Sequence, residues 1–258
     1  NMSIANAAIH VGSMTGSGRR FLASDGLHGK RGAYQYLRGG RTLRNDGQLA
    51  VGSATNDVKL YMDGSSGSVA KTRLVNQGEL VFQGTRSTYV LRDQGNPDAE
   101  LENNGKLIKR DSGYTGISVK LINKGQIIVD PGATLSLSTN SVHSGGASFS
   151  GAIVLSSGTH SFADGFSTSG AGLTDLQGGT LEVTSGTARF GNMKVTSLIQ
   201  GSGNLSIANA AINGGTMTGS GSTILASDGS HSMSGAYQYV RGGRTLRNDG
   251  QLAVGSAT

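Results

Sequence analysis

Apolar residues recur along this chain in short alternating runs and not at the three-and-four spacing of an amphipathic helix. The segments 133–138 (Ala-Thr-Leu-Ser-Leu-Ser), 152–155 (Ala-Ile-Val-Leu) and 180–184 (Thr-Leu-Glu-Val-Thr) are bounded by Gly or Ser, which predicts short strands. Residues 5–9 come nearest to a helical stretch, but Gly12, Gly16 and Gly18 follow, so a strand is expected there too.

Superimposed on the alternation is a heptad, Leu-x-Asn-x-Gly-x-Leu/Ile, which starts at Leu43, Leu74, Leu101 and Leu121 and returns at Leu246. The first four starts are 31, 27 and 20 residues apart, a spacing that fits one winding of a solenoid with loops of variable length. Its fixed polar positions are Asn45 and Gly47, Asn76 and Gly78, Asn103 and Gly105, Asn123 and Gly125, and Asn248 and Gly250. Asn and Gly tolerate left-handed backbone at a tight corner, which is the expected reason for their presence. The flanking Leu and Ile would point inward. Stacked windings would bring the Asn side chains into a ladder that shares amide hydrogen bonds.

A much longer repeat contains these short ones. Residues 204–258 repeat residues 1–55 without a gap, with 43 of 55 positions identical, and 38–55 returns unaltered as 241–258. Arg19, Arg20, Lys30 and Arg31 become Ser222, Thr223, Met233 and Ser234, exchanges expected to face solvent. The organisation read from this is a single continuous solenoid over 1–258, with 1–203 as one repeat unit and 204–258 as the start of the next copy. The parent would then be a longer tandem array, with export signal and anchor outside these residues. Windings of roughly 20 to 27 residues, stacked about 4.8 Å apart, would number about ten to twelve. The expected fold class is all-β, a right-handed parallel β-helix (β-solenoid) with variable-length coil loops. A left-handed hexapeptide helix needs a strict six-residue period, which is absent.

Composition narrows the class further. With 43 Gly but only 2 Pro and no Gly-X-Y period, the chain is neither collagen nor a disordered linker. The absence of Cys removes disulfides and thiolate metal sites. No apolar run reaches the roughly 18 residues that span a bilayer, and the start lacks the layout of a signal peptide. The net charge of +6 favours acidic partners such as polysaccharide or extracellular DNA.

Candidate chemistry is sparse, and no enzyme is expected. The Asp residues stand mostly in turn contexts such as Ser24-Asp25-Gly26 and Asn45-Asp46-Gly47, where a carboxylate bonds nearby backbone. Polygalacturonase-like Asp-Asp, Gly-His-Gly or Arg-Ile-Lys patterns are missing. His10, His28, His143, His160 and His231 have no metal-ligand spacing and read as surface or turn residues. The segment from Asp93 to Asp98 is the one loop dense enough in oxygen ligands to suggest calcium, but it lacks a terminal bidentate Glu. No cofactor is expected. Arg38, Arg41 and Arg44, with Arg241, Arg244 and Arg247, form an Arg-x-x-Arg-x-x-Arg stripe suited to a polyanion or a neighbouring filament. Tyr34 and Tyr36, with Tyr237 and Tyr239, place aromatic pairs on one side of a strand, for a sugar ring, a second chain or mutual packing.

The Asn-Gly-punctuated strands, the Gly, Ser and Thr richness, the lack of Cys and the nested repeat resemble filamentous-haemagglutinin-type and autotransporter passenger β-helices, loosely over the whole chain. That resemblance implies a secreted surface rod acting in adhesion, biofilm cohesion or display, self-associating end to end or laterally. The alternatives are a polysaccharide-binding or polysaccharide-cleaving β-helix and a phage tail-fibre solenoid.

Overall fold

The computed structural model describes residues 34–63, 71–92 and 99–255, together with the backbone of five strands between residues 2 and 30. Side chains are described from Tyr34 onward, apart from those of Asp63 and Arg92. The described residues form strands and turns without a helix, and the strands pair in parallel as a β-solenoid of about ten turns. Two compact units divide the chain, Asn1–Ser136 and Leu137–Thr258.

In the first unit each winding supplies three short strands. Thr42–Asn45, Thr72–Asn76, Ala99–Asn103 and Lys120–Asn123 pair in that order, and Gln48–Gly52, Glu79–Gln83, Lys106–Lys109 and Gln126–Val129 form a second face. A third face is built from Tyr34–Arg38, Val58–Asp63, Thr88–Arg92 and Tyr114–Ile117. Register makes columns: Leu43 lies against Leu74, then Leu101, then Leu121. A second column runs Leu49, Leu80, Leu107, Ile127, and all eight side chains are at most 1% exposed. Burying each is worth roughly 1.5–3 kcal/mol, so stacking rather than any single strand holds the unit together.

The corner glycines are required for a different reason from the one the heptad suggests. None of Gly47, Gly78, Gly105 and Gly125 has a positive φ, and neither does any ladder asparagine. The requirement is close approach between windings. A Cβ on Gly78 would stand 2.1 Å from the carbonyl oxygen of Gly47, one on Gly105 2.1 Å from that of Gly78, and one on Gly125 2.0 Å from that of Gly105. Only hydrogen fits between one corner and the next.

In the second unit the windings are shorter, with register offsets from 17 residues (Thr187 to Asn204) to 23 (Ser222 to Thr245). Ile153–Leu155 and Thr180–Val183 realise strands expected from alternation, as Thr134–Leu137 does earlier in the chain. The long repeat folds to identical pairings. Ser222 opposite Thr245, Ser230 opposite Gln251 and Gly215 opposite Gln238 reproduce Arg19 opposite Thr42, Leu27 opposite Gln48 and Gly12 opposite Gln35. One charge-changing exchange does not face solvent: Thr223 is fully buried, and its hydroxyl accepts a hydrogen bond from Arg244 at 2.9 Å.

Candidate functional site

The asparagine ladder is the most regular polar feature of the molecule. Asn45 Nδ2 donates to Asn76 Oδ1 at 2.8 Å, Asn76 Nδ2 to Asn103 Oδ1 at 2.7 Å, and Asn103 Nδ2 to Asn123 Oδ1 at 2.7 Å. All four side chains are completely buried. Each of the first three amides also donates to a backbone carbonyl of the following winding: Glu79 at 3.0 Å, Lys106 at 2.9 Å and Gln126 at 3.1 Å. The ladder therefore has a direction. Among the described residues its acceptor end, Asn45 Oδ1, and its donor end, Asn123 Nδ2, have no partner.

Asn248 and Gly250 do not belong to this column. Asn248 makes the same local bond, Nδ2 to Gly250 O at 3.1 Å, but the residue is exposed in the last described winding.

The arginines do not form one stripe. Arg38 ends a strand of one face, whereas Arg44 lies within Thr42–Asn45 on another. Arg38 stacks 4.2 Å over the ring of Tyr36, and Arg41 is half-buried between the two strands. Arg44 and Arg247 are exposed and pair with the nearby Asp46 at 2.6 Å and Asp249 at 2.7 Å, and Arg241 lies 5.9 Å over Tyr239. Arg244 is only 5% exposed and donates to Thr223 Oγ1 and to the carbonyls of Ser222 (3.1 Å) and Gly201 (3.3 Å). Burial lowers its pKa. It bridges windings rather than facing a polyanion.

Much of the remaining charge in the first unit is spent between windings. Glu100 meets Lys71 at 3.0 Å and Lys120 and Arg73 at 3.6 Å, Glu102 meets Lys124 at 2.9 Å as well as Arg73, and Glu79 meets Lys106 at 3.2 Å. These partly exposed pairs are worth at most about 1 kcal/mol each, but their alternation along the stack favours one register. The carboxyls are held below the usual range. A hydrogen bond from Gln48, then one from Lys106, does this for Glu79, and a hydrogen bond from Lys124 does so for Glu102. At Glu100 desolvation pushes upward, but Lys71, Lys120 and Arg73 together outweigh it.

Several buried titratable groups escaped the sequence. Lys109 is fully buried in the column between Phe82 and Val129, and its Nζ donates to the carbonyls of Arg110 (2.7 Å) and Gly84 (3.0 Å). Desolvation lowers its pKa. The histidines His143, His160 and His231 are buried, contrary to the surface reading, with exposures of 0%, 0% and 4%. Ser141 Oγ lies 2.7 Å from His143 Nε2 and 2.8 Å from His160 Nδ1. The His143 ring stacks on Phe162 at 4.6 Å and meets Phe149 edge-on at 4.8 Å.

This packing gives the second unit an acid weakness. Burial holds His143 well below 6.5, aided by the nearby His160, and lowers His160 to about 4, slightly countered by a hydrogen bond with the Ser157 backbone. Unfolded, both imidazoles protonate near 6.5, while folded they stay neutral to lower pH. Stability is therefore complete above pH 6.5 and is lost as pH falls toward 4, by roughly 3 kcal/mol for His160 alone. Thermal melts of the chain should shift steadily downward across that window, and a constant midpoint from pH 7 to 4.5 contradicts the assignment.

A cleft of about 390 Å³ opens among Gly52, Ser53, Ala54, Gln83, Gly84 and Asp111. Asp111 is its one carboxylate, adopts a φ of 60°, and accepts a hydrogen bond from Gly84 N at 2.7 Å. Asp93 and Asp98 lie outside the described residues. Among the described residues no three His, Cys, Asp or Glu side chains gather to hold a metal ion, and no helix is long and apolar enough to cross a membrane.

The tyrosines lie on the outside. Tyr36 stacks on Tyr61 at 5.2 Å, and Tyr34 on Tyr61 at 6.4 Å. Tyr237 and Tyr239 are parallel, 6.5 Å apart, and 72% and 51% exposed. The fold and its ladders define a β-solenoid, consistent with a β-helix repeat protein. No family model, no curated protein and no solved structure matches the chain.

Proposed function

We propose that this chain is a structural and adhesive segment of a secreted, repetitive bacterial surface protein of the filamentous-haemagglutinin or autotransporter-passenger kind, and that it catalyses no reaction. The observation that carries this reading is the repeat itself: the pairs Arg19–Leu22 with Thr42–Asn45 and Leu27–Lys30 with Gln48–Gly52 recur in the same register as Ser222–Leu225 with Thr245–Asn248 and Ser230–Met233 with Gln251–Val254. A sequence copied with its register intact extends a stack by addition of like windings, which suits a filament better than a single-site catalyst. Core columns, amide ladder and ion pairs all spend their side chains on holding one winding to the next.

Self-association is part of the proposal. Windings that recur with the same strand register offer one another matching backbone and side-chain surfaces, so copies of the array add to one another.

Two readouts test the reading. Antibodies raised against the chain should label intact, unpermeabilised cells of the source organism, and electron micrographs of the purified chain should show thin rods that join end to end. Labelling only after permeabilisation, or dispersed globular particles, would overturn it.

A further inference from the structure

Aromatic residues are sorted by type. All seven tyrosines of the chain lie at outward, half-buried or exposed positions, whereas Phe82, Phe149, Phe162, Phe166 and Phe190 are at most 2% exposed. Five of the tyrosines share one face of the first unit, on the strands Tyr34–Arg38, Val58–Asp63, Thr88–Arg92 and Tyr114–Ile117. A core gains nothing from them there, and exposed aromatics on one face mark a contact surface.

The geometry defines what that surface offers. Tyr34, Lys59 and Tyr89 follow one another in register, and Tyr36 lies against Tyr61 with ring planes 14° apart. Rings stacked along the windings spend their faces on each other, and Arg38 stands over that of Tyr36, so they turn hydroxyl-bearing edges outward. Tyr114 differs. It leans across Gly116, where a Cβ would come within 3.1 Å of its ring and 3.2 Å of Tyr89, is inclined 53° to Tyr89, and is 37% exposed. Lys59 Nζ stands 5.8 Å from the Tyr34 ring centre, so the face carries a cation beside its rings.

We propose that this tyrosine face binds an acidic polysaccharide laid along the windings. A carboxylate meets Lys59, sugar hydroxyls bond the tyrosine hydroxyls, and one sugar ring packs on Tyr114. A nucleic acid would need free ring faces for successive bases, and the stacked rings offer few. A second copy docked on this face would bring together two chains that each carry a net charge of +6. The proposal names a partner for the structural reading above and rests on its extracellular placement.

Biolayer interferometry of the full chain on immobilised alginate, dextran and duplex DNA tests it, with Lys59→Gln, the triple variant Tyr34→Phe/Tyr61→Phe/Tyr114→Phe, Tyr114→Leu, and Lys124→Gln as a matched loss of charge on another face. The expected result is retention on alginate well above dextran, weakened about tenfold or more by Lys59→Gln and by the triple variant, and unchanged by Lys124→Gln. Because phenylalanine keeps the rings, the triple variant should melt like the parent. No retention on alginate, equal weakening by Lys124→Gln, or equal binding of DNA would each overturn the proposal. Loss of self-association in the tyrosine variants with alginate binding intact would do so as well, by making the face a contact between copies. Rods seen without alginate retention sink this site and leave the structural reading standing, whereas globular particles that retain alginate sink the structural reading instead.

Discussion

Gly105→Ala should be among the most destabilising single changes in the first unit, costing more than about 4 kcal/mol. The added methyl would lie 2.1 Å from the Gly78 carbonyl oxygen and 2.7 Å from that of Gln77, and both obstacles are backbone. Gly78 O accepts from Lys106 N at 2.8 Å, so any movement that relieves the clash breaks a bond holding two windings together. Gly170→Ala is the internal comparison. Nothing lies within 4 Å of its added Cβ, and a φ of +74° leaves only left-handed strain, about 1–2 kcal/mol. Urea unfolding of the two variants should separate them clearly. Equal destabilisation would show that the corners are not in contact.

Asn76→Asp is the second large effect. The replacement has nearly the same shape but turns a donor into an acceptor. Asn76 Nδ2 now donates to Asn103 Oδ1 (2.7 Å), Lys106 O (2.9 Å) and Gly78 O (3.2 Å). A buried carboxylate in its place faces three acceptors, and the expected loss at pH 7 is several kcal/mol, about 4 or more. Its pH dependence identifies the cause. The aspartate pKa would be raised in the fold, so acid restores a proton and relieves the variant, against the trend set by His143 and His160. Asn76→Ala, which removes the donor without adding charge, should cost about 2–4 kcal/mol and show no such relief. An Asn76→Asp variant as stable as the parent at pH 7 would place this side chain outside the ladder.

The heptad carried most of the first unit. Leu and Asn at fixed spacing sufficed to expect the columns Leu43 to Leu121 and Asn45 to Asn123, because an inward position is marked by alternation and a winding by recurrence. The role of the glycines was not legible, since a motif does not distinguish left-handed backbone from steric contact between windings. Lys109 was hidden because a lysine reads as solvent-facing. Aligning the strands Glu79–Gln83, Lys106–Lys109 and Gln126–Val129 by their heptads puts it in the Phe82 and Val129 column, so a signal existed. His143 and His160 sit in windings without the Asn marker, where alternation alone left the phase unset. Arg244 shows the same limit: an arginine spaced three residues from two others suggests a surface stripe, but the bend between strands turns it inward onto Thr223 and backbone carbonyls.

The most direct test of in-register stacking is the nuclear Overhauser spectrum of the asparagine side-chain amides, assigned with single Asn substitutions. Contacts are expected between Asn45 and Asn76, Asn76 and Asn103, and Asn103 and Asn123, with slow exchange of these amide protons against deuterium. Amides that exchange at the rate of free asparagine, or that show contacts only to their neighbours in sequence, would contradict a stack of aligned windings.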